Sequence, residues 1–169
     1  MRAFSIVLAI ALMVSAATAQ QPAPQTPDQV IKTYSSSSDV MALIAKAKSD
    51  LKEGQPMVSE PILILAPYRA NLEYRPGVGP AALHEREAEL MYVIDGSATM
   101  ITGGKLANEK RNNADNLAGT GIEGGTPREV AKGDFIIVPE NTAHWFSAIH
   151  GTLILMTFHV PRTVDSPQH

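Results

Sequence analysis

The chain has 169 residues, a formal net charge of −3 and no cysteine. Disulfides, thiolate chemistry and zinc–thiolate sites are therefore excluded. The acidic balance argues against nucleic acid or an anionic membrane as a partner, and no period of the kind that marks solenoids or propellers is visible.

Arg2 supplies a short positive region, and Ala3 to Val14 is apolar apart from Ser5. Ala17-Thr18-Ala19 comes next with the small-x-small pattern of a cleavage site, so residues 1–19 read as a signal peptide cut before Gln20. The apolar run is shorter than the roughly 20 residues of a membrane span. No cysteine follows it, which excludes a lipid anchor at that point. The expectation is an exported protein, periplasmic or secreted, with no membrane attachment after cleavage. About 150 residues then remain, enough for one domain with a core.

Residues 20–34, rich in proline and glutamine, read as a flexible leader. Residues 35–54 read as a helix. Ser35 to Asp39 offers several N-caps, and Val40, Leu43, Ile44, Ala47 and Leu51 recur at one-face helical spacing. Gly54 and Pro56 end it. Its expected role is to cover an end or edge of a β domain.

From Pro61 the period changes to two. In Tyr68 to Arg75 the even positions are apolar or aromatic and the odd ones polar, the pattern of a half-buried strand. Arg69, Asn71, Glu73 and Arg75 either meet solvent or line a polar cavity. Gly77 to Pro80 is a turn cluster. Glu89 to Asp95 reads as a strand, with Asp95-Gly96 as a hairpin turn and Ser97 to Thr102 as the returning partner. Lys105 to Thr126 is polar and glycine-rich without clear periodicity, either a lid over a cavity or a surface insertion. Arg128 to Val130, Phe135 to Val138, His144 to Ile149 and Thr152 to Val160 complete a series of short strands, with a turn at His150-Gly151. Residues 57–162 thus form an all-β sandwich or barrel domain, and 163–169 a loose tail.

Two stretches carry chemistry. In the first, His84 precedes Glu89 by five residues, an odd number, so the intervening segment must turn if both side chains are to face one interior. In the second, Gly133 to Val138 leads through Pro139-Glu140-Asn141 to His144. An inward glutamate among apolar residues is costly unless paired or bound to a cation.

The two stretches resemble the two motifs of the cupin superfamily. Glu89 and Gly96 keep the spacing of the first motif, and His84 falls where its second histidine is expected. Gly133, Pro139 and His144 keep the places of the second motif, with Asn141 in place of a glycine. Asparagine tolerates the left-handed conformation such a turn needs. The motif's other histidine is absent: Ala82 stands there, or Arg86 if His84 is counted as the first of the pair. The resemblance implies a jelly-roll barrel after one short N-terminal helix. It also implies a metal site of His84, Glu89 and His144 with open positions, suited to iron, manganese, nickel, copper or zinc.

Arg69, Arg86, Met91 and Phe146 are the expected substrate contacts. His150 and His159 read as surface or packing residues, and Trp145 as an outward or interface residue. The expected function is metal-dependent chemistry on a small molecule in the barrel, of oxygenase or isomerase type. The alternatives are a metal-free binding module for a sugar or other small ligand, and a homodimer built on edge strands and Trp145.

Overall fold

The structure, a computed structural model, describes residues 31–162. The expected signal peptide, most of the leader and the tail lie outside the described residues.

Helix α1 (Ser37–Asp50) begins at a capping box: the Ser36 hydroxyl accepts from the Asp39 backbone N–H, and the Asp39 carboxylate accepts from the Ser36 backbone N–H. Its apolar face packs on strands β1 (Val58–Leu65) and β2 (Tyr68–Arg75). Ala47 is fully buried there among Val58, Ile62, Ala70, Leu72 and Tyr74. The even positions of β2 therefore face the helix layer. The odd ones turn the other way, and Glu73 and Arg75 face the barrel cavity.

Strand β3 (Ala81–His84) leads through a two-residue break into β4 (Glu87–Thr102). Four short strands come next: β5 (Lys105–Ala107), β6 (Lys110–Arg111), β7 (Asn116–Gly119) and β8 (Gly121–Glu123). The segment expected as a lid or insertion is thus built into the sheets: β7 pairs with β3 and β6, and β5 with β8. Strands β9 (Thr126–Ala131) and β10 (Phe135–Val138) both pair with β4, and β11 (His144–Pro161) closes the fold.

The expected hairpin at Asp95-Gly96 does not form, nor does the expected turn at His150-Gly151. Instead β4 and β11 are single long strands, antiparallel over almost their full length. Both bend at the same level. Gly96 adopts φ +87°, and a Cβ there would lie 2.0 Å from the Thr152 carbonyl oxygen. The glycine that suggested a turn instead lets two backbones approach closely. Beyond this bend β4 changes partner from β10 to β9.

The result is an all-β jelly roll with one helix. Its interior is filled by Met91, Val93, Met100, Val130, Val138, Phe146, Leu153 and Leu155. A third apolar cluster, around Ala81, Leu106, Leu117 and Ala143, takes up Trp145, whose indole N–H donates to the Gly79 carbonyl at 2.9 Å. Trp145 is therefore held within the chain rather than presented outward.

Candidate metal centre

Three strands bring the site together. His84 ends β3, Glu89 lies near the start of β4, and the break between them lets both point inward. His144 begins β11 just after Asn141, which sits at φ +56°, the left-handed turn its position called for. The fourth member is His159, near the end of β11, directly opposite Glu89 in the β4–β11 ladder. Expected to be a packing or surface residue, it is buried, 7% exposed, and faces the carboxylate.

Glu89 is the hub, 4% exposed. Its Oε2 lies 3.0 Å from His144 Nε2 and 3.3 Å from His84 Nε2, and its Oε1 lies 3.8 Å from His159 Nε2. Ligand atoms of His84, Glu89 and His159 all fall within 4.8 Å of one another. Despite these approaches, Glu89 Oε2 makes no hydrogen bond among the described residues. The nitrogens come close without donor alignment.

The outer nitrogens explain why. His84 Nδ1 lies 2.5 Å from Asn116 Oδ1, and the Asn116 amide donates in turn to Asn113 Oδ1, so the Asn116 oxygen must accept. His144 Nδ1 donates to the Thr142 carbonyl at 3.3 Å. His159 Nδ1 lies 2.9 Å from Glu87 Oε1, at ion-pair distance but off the line of a hydrogen bond. Each ring thus has its Nδ1 beside an acceptor. For His84 and His144, whose Nδ1 is hydrogen-bonded, the neutral tautomer this favours turns the Nε2 lone pair toward Glu89. The ligand atoms of His84, Glu89 and His159 lie close enough together to form a donor set for a cation, and His144 Nε2 lies 3.0 Å from the same carboxylate.

The electrostatics couple the same groups. Burial alone would push the Glu89 carboxyl up, but His144 and His84 outweigh it and hold the group well below the usual carboxylate range. Burial would lower His84, yet Glu89 and Asn116 prevail and the net direction is up. At His159 burial prevails: Glu89 opposes it, Arg69 reinforces it, and the net direction is down.

The cluster lies in a cavity of ≈ 480 Å³, within the range of small-molecule sites. Gln55, Glu73, Arg75, Ala82, Asn112 and Asn116 also line it. The four expected substrate contacts do not. Arg86 is exposed and pairs with Asp115 at 3.2 Å. Arg69 turns to Glu87 at 2.6 Å on the far side of the site. Met91 and Phe146 are core residues beneath the cavity. Ala82, which occupies the place of the absent motif histidine, sits opposite His144 in register and leaves that corner open.

Residues 62–164 match the Cupin family, and the chain belongs to it. No curated protein matches the sequence. Solved structures similar to it have low identity. KdgF from Halomonas sp. is 19% identical, with TM-score 0.45, over 69% of this chain and 89% of its own. A protein with a double-stranded β-helix domain from Klebsiella pneumoniae is 15% identical, with TM-score 0.47, over 66% and 81%. The Fe(II) protein HppE is 16% identical, with TM-score 0.48, over 66% of this chain and 54% of its own.

Proposed function

We propose that the chain holds a divalent transition metal through His84, Glu89, His144 and His159 and acts on a small polar molecule in the adjoining cavity. One observation carries this reading: three imidazoles, each with its outer nitrogen beside an acceptor, surround one buried carboxylate, His84 and His144 at the Oε2 that has no hydrogen bond and His159 at Oε1. Three imidazoles and one carboxylate suit iron, manganese, nickel, copper or zinc. Such an ion supplies Lewis acidity or a site for oxygen activation, as in oxygenase- or isomerase-type chemistry.

The chain's own contribution is positional. Asn116, Thr142 and Glu87 hold the rings, Glu89 provides the one negative ligand, and the apolar floor beneath excludes water. The open corner at Ala82 leaves room for a ligand oxygen. The N-terminal sequence alone supports action outside the cytoplasm.

The test is metal content of the natively purified protein, compared with His84→Ala, Glu89→Ala and His144→Ala. Near-stoichiometric metal in the wild type and its loss in the variants supports the reading. Equal trace metal in all of them sinks it and leaves a metal-free binding module, which would still be stabilised by its ligand after chelation.

A further inference from the structure

We propose that Glu73 and Arg75 form a second recognition element in the cavity, one that selects a small polyhydroxylated acid by its vicinal hydroxyls. The ligand's carboxylate end is assigned to the His/Glu cluster, so the proposal rests on the metal reading for that end alone.

The pair is built into the wall. Glu73 is 8% exposed, and Arg75 Nε donates to its Oε2 at 2.8 Å, with Nη2 at 2.8 Å from the same oxygen. Both guanidinium contacts fall on one carboxylate oxygen. Among the described residues, Glu73 Oε1 and Arg75 Nη1 have no partner. The guanidinium is steadied by the Phe146 ring, 5.3 Å from its centroid. Phe146 follows His144 by two residues on the same face of β11, a step of roughly 7 Å. The pair therefore stands within a small molecule's length of the His/Glu cluster.

Its chemistry suits hydroxyls better than a second anion. A lone arginine would attract a carboxylate, but here Glu73 cancels the charge, and an anion brought to Nη1 would also meet the glutamate. A hydroxyl does both things the pair asks: it donates to Oε1 and accepts from Nη1. Two neighbouring hydroxyls satisfy both groups together. Asn112, which also lines the cavity, adds a donor and an acceptor. At the other end, a divalent ion neutralised only by Glu89 keeps net positive charge, which favours the ligand's carboxylate.

The experiment is calorimetric titration of the metal-loaded protein with gluconate and with 2-hydroxyhexanoate, which share chain length, charge and the α-hydroxy acid end but differ in the remaining hydroxyls. Gluconate is expected to bind about a hundredfold or more tighter, because a site built to hydrogen-bond hydroxyls rejects the analogue that lacks them. The double variant Glu73→Met/Arg75→Met removes both charges and leaves neither buried alone. It should retain metal and fold, by metal analysis and thermal unfolding, and bind the two acids alike. Equal binding of the acids by the wild type, no gluconate binding, or a preference that survives in the double variant would each overturn the proposal. Metal content decides the metal reading separately, because the α-hydroxy acid end is common to both probes and cancels in their ratio. If the double variant fails to fold, Glu73→Leu, which removes the acceptor at that position, serves in its place, with the same loss of preference expected.

Discussion

His159 lies directly across from Glu89 in the β4–β11 ladder, its Nε2 3.8 Å from the carboxylate Oε1. It supplies from the end of the last strand an imidazole that the first motif lacks at Ala82. His159→Ala should therefore weaken metal binding by at least about tenfold, since even the residues that orient a ligand are worth that much. His150→Ala is the control: that ring is exposed, 3.6 Å from Glu129. Competition titration with a chelator reads both, and equal affinities would remove His159 from the ligand set.

Asn116 acts through His84. By accepting from Nδ1 it turns Nε2 toward Glu89, so its loss frees the ring without removing a ligand. Asn116→Leu should lower metal affinity by roughly tenfold to a hundredfold. Asn116→Asp, which still accepts, should recover most of it. If both variants behave alike, the orienting role is wrong.

Much of the fold and part of the site were legible in the sequence, for particular physical reasons. The alternation in β2, the helix spacing of α1 and the His84–Glu89 break are local patterns that a strand or helix cannot hide. His159 was hidden because both faces of its strand are largely apolar: Leu153, Leu155 and Thr157 alternate with Ile154, Met156 and Phe158, so parity gives no inward side. One face meets the barrel interior and the other the helix layer. The expected hairpin failed because Asp-Gly reports a left-handed glycine, not what that glycine is for. Arg69 and Arg86 line a separate cavity with Glu87 and Asn116, because charge alone does not tell which of two neighbouring cavities a side chain reaches.

The α1 cap offers a test of how far the helix supports the barrel. Ser36→Ala removes the hydroxyl that accepts from the Asp39 N–H and should cost about 1 kcal/mol in denaturant unfolding. Asp39 is held below its ordinary value chiefly by the Ser36 backbone N–H, then by the Ser36 side chain. A carboxyl lowered in the folded state stabilises above its unfolded value, and that contribution is lost as pH falls through the folded one. Any penalty from Asp39→Asn should thus be present near neutrality and fade in acid. A penalty that grows in acid would contradict the cap.

Gly96 and Gly133 separate two costs that usually arrive together. Both have positive φ, +87° and +93°. Around Gly133 a Cβ would meet nothing within 4 Å, so Gly133→Ala carries only backbone strain, about 1 kcal/mol. At Gly96 the added carbon would fall 2.0 Å from the Thr152 carbonyl oxygen, where β4 and β11 bend past each other. Backbone on both sides must move, so Gly96→Ala should cost on the order of 3 kcal/mol or more. Chemical denaturation of the two variants measures the difference. Equal losses would mean that the close approach of β4 and β11 does not constrain the bend at Gly96.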